Sequence, residues 1–280
     1  MSGGVAVRAV GLVPHPHRDT AAELASRASA RLAAHGIDVR SAISEDPTAF
    51  DPSGLDVVIS LGGDGTMLRA VDLAYEAGVA VLGVNVGQMG YLTEVEPDDF
   101  DNALDRLVAG EYEVAERMVL EVVVESGGSA AGRWFALNEA VLEKVHTGRL
   151  ARLEVDINGT YFTTYAADGV IVATPTGSTA YSFSAGGPIV SPRHRCILLT
   201  PVSPHMLFDR SLVLAAEESL RFVVCDDRSV VLTADGRELG ELAAGDAVVC
   251  RGGAFPARIV TLGPRDFHQI LKAKFGLSDR

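Results

Sequence analysis

The sequence predicts an α/β plus all-β protein: an N-terminal Rossmann-like open parallel sheet domain followed by a C-terminal antiparallel β-sandwich domain. Three observations carry this expectation. Over residues 1–111, short apolar runs alternate with segments of helical spacing, the rhythm of a parallel sheet with helices on both faces. Over residues 112–264, strand-like segments are separated at short intervals by Gly, Asn and Asp, as in packed antiparallel sheets. The last stretch, "PRDFHQILKAKFG", returns to helical spacing, so a helix within 265–280 is expected to fold back onto the first domain.

Taken in order, Val5 to Val13 is an apolar run ended by Pro14. "TAAELASRASARLAAHG" follows, with Thr20 and Glu23 at capping-box spacing and Gly36 as the stop. "LDVVISL" (55–61) and "VAVLGVN" (79–85) are continuous apolar runs, expected where a strand is covered on both faces. Between them "TMLRAVDLAYEAG" (66–78) has helical spacing and ends on glycine. After Pro97, "DDFDNALDRLVAG" opens with acidic residues, which suit a helix N-terminus. The texture changes near Tyr112: "MVLEVVVES", "RWFALNEAVLEKV", "ARLEVDINGTYFTTYAADGVIVAT" and "SLRFVVCDDRSVVLTADG" all read as strands and hairpins. "NGT" at Asn158 matches a glycosylation sequon but reads as a hairpin turn.

Composition narrows the function classes. The formal net charge is −13, which disfavours nucleic acid or an anionic membrane as a partner. No run of 18 or more apolar residues exists, so no transmembrane helix is expected, and the N-terminus reads as a first strand rather than a signal peptide. The three cysteines, Cys196, Cys225 and Cys250, lie far apart and fit buried thiols in a reducing cytosol. The histidines form no metal-ligand pattern. Only Lys144, Lys272 and Lys274 supply lysine, and no "GK" pair exists, so a Walker phosphate loop is absent. Any phosphate must then be met by backbone N–H groups, arginines or a divalent metal.

Four segments could carry chemistry. "GGDGT" follows a buried strand and opens a helix, at the strand end where open parallel sheets bind ligands. Gly62, Gly63 and Gly65 would let backbone approach a ligand and permit positive φ, with helix N–H groups favouring phosphate. The alternative is an ordinary strand-to-helix turn, with Asp64 or Thr66 as the N-cap. "DGVIVATPTGSTAYSFSAGGPIV" (168–190) carries hydroxyls on Thr174, Thr176, Ser178, Thr179, Ser182 and Ser184, with Tyr181 and Phe183 interleaved. That mixture suits a nucleotide's polar edges and flat face, or a polar crossover loop. "ALNEAVL" (136–142) places Asn138 and Glu139 in an apolar strand, where one of them points inward and needs a partner, protein or ligand. "GVNVGQMGYLTE" (83–94) forms a further loop at the ligand edge, with Tyr91 stacking on a ring or filling core.

"GGDGT", "LNE", "DGVIVATPTGSTAYSFSAGGPIV" and the later "TPVSPH", in this order, resemble the motifs of the NAD kinase family, over Val5 to Phe275. The resemblance implies transfer of the ATP γ-phosphoryl group, or one from polyphosphate, to the 2′-hydroxyl of the adenosine ribose of NAD, giving NADP. It implies a GGDGT-bearing domain over 1–111 and a β-rich NAD-binding and oligomerisation domain over 112–264. It implies Mg²⁺ or another divalent cation held mainly by substrate phosphates without direct protein ligation, and a cytoplasmic homo-oligomer, a dimer or tetramer. Carried over by position, Asp64 would deprotonate the accepting hydroxyl, with Gly65 and Tyr91 beside the substrate. Asn138 and Glu139 would hold the adenosine. Asp168 and Tyr181 would contact NAD near a subunit interface, with Thr179, Ala180 and Ser184 lining that pocket. Gly62, Gly63 and Thr66 would form the phosphate turn. Gln88 and Ser211 depart from the family pattern, at positions where many members carry a basic or smaller residue and a proline. The rival readings are a GGDGT-type lipid kinase and an inactive NAD-binding sensor.

Overall fold

The structure, a computed structural model, describes residues 6–42, 50–87, 90–127, 129–226, 229–264 and 266–277. The chain divides into two compact units, one ending at Glu116 and resuming at Ala257, the other spanning Arg117–Pro256.

In the first unit the elements run β1 (Ala9–Pro14), α1 (Asp19–Ala34), β2 (Asp38–Ser41), β3 (Val57–Gly62), α2 (Asp64–Tyr75), β4 (Ala80–Asn85), a 3₁₀ turn over Pro97–Asp99, α3 (Phe100–Val108) and β5 (Glu113–Arg117). After the second unit the chain returns with β18 (Ala257–Thr261) and α5 (Phe267–Phe275). Six strands form one sheet in the order β2-β1-β3-β4-β18-β5. The pairs β2–β1, β1–β3, β3–β4 and β4–β18 are all parallel. Every residue of β3 and β4 is buried, which is why their sequence is apolar without alternation. On one face, alternate strand residues Leu12, Ile59 and Leu82 share a core with Leu24, Ala28 and Leu32 of α1 and Phe100, Leu104 and Leu107 of α3. Those helix positions recur every three or four residues, the period that makes one apolar stripe.

β18 lies between β4 and β5, so residues 112–116 and 257–264 belong with the first unit and not with the β-rich segment 112–264 expected from composition. The strand-like texture of these residues was real; which sheet they join is a pairing decision that composition does not carry. α5 is closed at both ends: the Asp266 side chain accepts the His268 N–H at 2.8 Å, and Gly276 takes the left-handed conformation at φ 60°. Arg265 and residues 278–280, within the expected 265–280 helix, lie outside the described residues, as does Val5.

Two helix starts differ from expectation. α1 begins at Asp19, with Arg18 as N-cap and no side-chain cap bond, so Thr20 and Glu23 lie inside the helix and form no capping box. α2 begins at Asp64 with Gly63 as N-cap, so Thr66 is a buried residue of the first turn and not a cap. A methyl group on Gly62 would meet Thr66 Oγ1 at 2.2 Å, so the glycine makes room for that burial.

The second unit contains β6 (Leu120–Ser126), β7 (Ser129–Ala136), β8 (Glu139–Lys144), β9 (Ala151–Ile157), β10 (Thr160–Ala167), β11 (Gly169–Ala173), the short helix α4 (Tyr181–Ser184), β12 (Cys196–Val202), β13 (Leu212–Ala215), β14 (Ser219–Val224), β15 (Val230–Ala234), β16 (Arg237–Leu242) and β17 (Ala247–Gly252). They form two antiparallel sheets, β10-β9-β14-β17-β6-β7 and β13-β12-β11-β8-β15-β16. Both inner faces fill one core, with Leu120, Val122, Tyr165 and Phe222 from the first sheet and Leu142, Val170, Ile197 and Leu232 from the second. β9 and β10 are joined by Asn158 and Gly159 at φ 52° and 75°, the two-residue turn that "NG" favours. The outer face of β8, β11 and β12 is also buried, with Tyr181, Ala185 and Val190 lying against Val141, Ile171 and Leu198.

At two corners the chain passes from one antiparallel sheet to the other within a one- or two-residue bend. It leaves β7 and enters β8 through a bend at Leu137–Asn138, and leaves β10 for β11 at Asp168. "ALNEAVL" is therefore two strands and a bend, not one strand. Asn138 stands at the corner, half-buried, and Glu139 is the first, buried residue of β8.

Candidate functional site

In the first unit, Asp64 follows the carboxyl end of β3 as the first residue of α2, where the helix N-terminus favours a negative charge. Both of its oxygens are engaged. Oδ2 accepts the Tyr91 N–H and Oδ1 accepts the Leu92 N–H, each at 2.9 Å. The carboxylate thus fixes the loop that follows β4, while each oxygen keeps a second lone pair for another donor. Gly90 allows this approach, because a methyl group there would stand 2.1 Å from Asp64 Oδ1. Burial and the Asp64 charge push the Tyr91 phenol above its ordinary range.

Gly62, Gly63 and Gly65 permit positive φ, but none of them uses it. At Gly63 and Gly65 an added methyl would meet no other atom. Gly63, Gly65 and Thr66 line a cavity of about 390 Å³ together with His15, Arg18 and Arg69. Sequence reading missed these three side chains, since none lies in a motif. Arg18 is held by donating Nη1–H to the Val86 carbonyl. Asn85, at the end of β4, staples the adjoining loop: its amide nitrogen donates to Glu96 at 3.1 Å and its backbone N–H to the Val95 carbonyl at 2.7 Å. Gln88, noted as a departure from the family pattern, lies outside the described residues.

In the second unit, the bend carrying Asn138 and Glu139 is clamped from two sides. Asp235, at the turn between β15 and β16, accepts the N–H groups of Leu137, Asn138 and Glu139 at 2.7, 2.8 and 3.1 Å. Thr174 returns from the other side, its N–H bonding the Asn138 carbonyl at 2.8 Å and its hydroxyl the Leu137 carbonyl at 2.5 Å. Gly177 lies against the same peptide, where a methyl would meet the Asn138 carbonyl at 2.2 Å. Asp235 went unnoticed in the sequence; the only local signal was "DG", a turn signature.

Glu139 is 8% exposed, and its Oε2 has no hydrogen-bond partner among the described residues. Burial, with help from the Asp235 charge, raises its carboxyl to about 8, against the pull of the Tyr181 backbone N–H. A carboxyl raised that far favours its protonated form at neutral pH, and its Oε2 is a buried polar atom without a partner among the described residues.

Asp168 sits at its corner paired with Lys144, an ion pair also linked by the Lys144 N–H to the Asp168 carbonyl at 2.9 Å. Tyr181, half-buried at the start of α4, directs its hydroxyl to Glu143 at 3.4 Å. Its phenol is pushed up, first by burial and then by Glu143 and Asp168. Asp168, Glu143, Lys144 and Tyr181 thus form one polar group. Thr179 and Ala180 precede it in a turn, and Ser184 is exposed one turn later.

The hydroxyls of this segment divide in two. Thr174, Ser178 and Ser182 are fully buried and serve the fold. Ser178 Oγ accepts the Val190 N–H at 3.0 Å and donates to the Pro175 carbonyl at 2.7 Å. Ser182, Thr200 and Ser211 form a chain at 3.1 and 3.0 Å, so the serine at position 211 accepts a bond that a proline could not. Thr176, Thr179 and Ser184 remain at least partly exposed.

Comparison with known proteins adds independent findings. Residues 38–112 match the ATP-NAD kinase N-terminal domain and residues 137–262 the ATP-NAD kinase C-terminal domain. The chain is 45% identical over 221 residues to the NAD kinase of Heliobacterium modesticaldum, covering 79% of this chain and 78% of the relative. It is 39% identical over 288 residues to NAD kinase 2 of Streptomyces coelicolor, covering 97% and 95%. Among solved structures, yeast NADH kinase complexed with NADH superposes with a TM-score of 0.88 at 26% identity, covering 99% of this chain and 90% of that one. An NAD kinase from Archaeoglobus fulgidus in complex with ATP shares the fold, with a TM-score of 0.71 at 24% identity over 96% and 97% of the two chains.

Proposed function

Because the chain belongs to the NAD kinase family, we propose that it transfers the γ-phosphoryl group of ATP, or a terminal phosphoryl group of polyphosphate, to the 2′-hydroxyl of the adenosine ribose of NAD. The observation that carries this reading is the cavity beside the start of α2, where His15, Arg18 and Arg69 meet the open backbone of Gly63 and Gly65. Arginine side chains and helix N–H groups are what a phosphate chain requires.

Asp64 is the base in this reading. A ribose hydroxyl is a poor nucleophile at neutral pH, and a carboxylate that accepts its proton in the transition state accelerates attack. The remaining lone pairs of Asp64 are free for that bond, while its two N–H bonds keep the carboxylate from turning. Asn138 and Glu139 hold the adenosine, with the unpartnered Glu139 oxygen as the group awaiting it. Asp168, Tyr181, Thr179, Ala180 and Ser184 line the same pocket, and Gly65 and Tyr91 border the acceptor. Magnesium would ride on the phosphates. Asp64, between Gly63 and Gly65 in the chain, is already engaged by backbone N–H groups, so it fits a proton acceptor better than a metal ligand. A bound ion would neutralise charge on the phosphoryl group in flight.

We also read the chain as a cytoplasmic homo-oligomer. All three cysteines are free thiols, which suits a reducing compartment; Cys196 and Cys250 are buried as expected, but Cys225, just past the end of β14, is exposed. Exposed Tyr161, Phe162, Leu207 and Val213 in the second unit suit a contact with another copy. No helix among the described residues is long and apolar enough to cross a membrane.

One assay tests the reaction. The purified chain is incubated with NAD, Mg²⁺ and either ATP or polyphosphate, and NADP is measured with a coupled dehydrogenase. NADP formation with at least one donor is expected. NAD binding without NADP from either donor would replace the kinase by a sensor.

A further inference from the structure

α5 brings a side chain to Asp64 that no motif contains. The Lys274 ammonium lies 3.7 Å from Asp64 Oδ2 and 4.0 Å above the Tyr91 ring centroid. Phe275, the next residue, has its ring centroid 6.4 Å from that of Tyr91. Resting on the assignment of Asp64 as the base, we propose that Lys274 is a positioning residue for the phosphoryl transfer. Its ammonium sets the third side of the Asp64 carboxylate and offsets that carboxylate's charge where an anionic donor must approach.

Three observations carry this. The first is exposure: the Lys274 and Asp64 side chains are 37% and 31% exposed. A pair this wet adds little to folding stability, so stability alone does not account for its placement. The second is residue choice. This chain has 24 lysines and arginines together, of which only three are lysine. A lysine head is a compact charge with three donors pointing different ways. It can face a carboxylate, an aromatic ring and a phosphoryl oxygen at once, whereas a planar guanidinium directs its donors in one plane. The third is direction. α5 buries no residue completely, yet it is capped at both ends, and its last turn meets Tyr91, a residue of the loop that Asp64 holds. Lys274 and the loop's N–H groups together leave the carboxylate one defined set of free lone pairs.

The test uses the full chain and the NADP assay on Lys274→Met, Lys274→Ala, Lys274→Arg, Lys272→Met and Asp64→Asn. Lys272 is the control because residues two apart point to opposite sides of a helix. Lys274→Met is expected to lower kcat by about 100-fold, the cost of a misplaced catalytic group, with little change in KM for NAD. Ethylammonium in the buffer is expected to restore part of the Lys274→Ala rate, and Lys274→Arg to fall between the two. Lys272→Met is expected to match the parent chain. Wild-type kcat in Lys274→Met while Asp64→Asn is inactive would overturn this inference and leave the base standing. Wild-type turnover in Asp64→Asn would remove the underlying reading instead. A Lys274→Met chain with a lower Tm, whose alanine counterpart gains nothing from the amine, would make the lysine a docking residue only and overturn the proposal.

Discussion

At Asp64 both carboxylate oxygens are committed to backbone before any substrate arrives, and this shapes what its replacement should do. In Asp64→Asn one oxygen becomes an NH₂ group, which faces the N–H of Tyr91 or Leu92 donor to donor. We expect kcat to fall by about 100- to 10,000-fold in the NADP assay, the range for losing a general base. Gly90→Ala separates position from chemistry: it keeps the carboxylate but places a methyl 2.1 Å from Oδ1. It should lower kcat while leaving NAD affinity near the parent value in a titration. Glu139 makes a prediction of opposite character. Its carboxyl is raised to about 8 in the fold, so the folded chain holds a proton that the unfolded chain releases at lower pH. Stability from this group is present at acidic pH and is lost as pH rises towards 8. Urea unfolding at pH 5, 7 and 9 should show that decline, and Glu139→Gln should flatten it. Asp64 was legible in the sequence because glycines isolate it and a buried strand precedes it. Lys274 was not, because its partner lies in a distant segment and no spacing rule connects them.

The same division holds among elements. β3 and β4 could be read from apolar runs alone, since a strand covered on both faces has no polar side to interrupt it. The bend at Leu137–Asn138 could not, because "ALNEAVL" is apolar on both sides of a corner where the chain passes from one sheet to the other. What makes the corner is Asp235, 97 residues from Asn138, accepting three N–H groups in a row. Asp235→Ala should cost about 3 kcal/mol in urea unfolding, the scale of losing charge-assisted bonds at partly buried donors. It should also weaken NAD binding, since Asn138 and Glu139 move with the bend. Asp235→Asn keeps one acceptor oxygen and tolerates the left-handed φ of 49° found there, so its effect should be milder. The hydroxyl-rich segment reads differently once its partners are known. Thr174, Ser178 and Ser182 were candidate ligand groups by composition, yet their bonds run to Leu137, Pro175, Val190 and Thr200. Composition records that hydroxyls are present; only the neighbours decide which are already used.

Across the whole molecule, the first unit is discontinuous in sequence, and this gives a test of its own. β18 is an internal strand of the parallel sheet, between β4 and β5. A chain cut after Pro256 loses that strand and α5 with it, leaving the edge of β4 unpaired. Such a chain should lack the first unit's cooperative transition in thermal unfolding and form no NADP. Charge is also distributed with purpose on this scale. In a chain of net charge −13, two of the three lysines lie on the two aspartates assigned to substrates, Lys274 on Asp64 and Lys144 on Asp168. By itself the sequence determined the fold class, the family and the identity of Asp64, Asn138, Glu139 and Asp168 as residues of interest. These depend on local patterns: apolar period, glycine spacing and motif order. The tertiary structure decided which strands close each sheet, that Glu139 is buried, which hydroxyls are buried, and that Asp235 meets the Leu137–Glu139 bend and Lys274 meets Asp64 across long stretches of chain. Those outcomes depend on burial and on contacts between distant segments, and neither is a property of any short stretch of sequence.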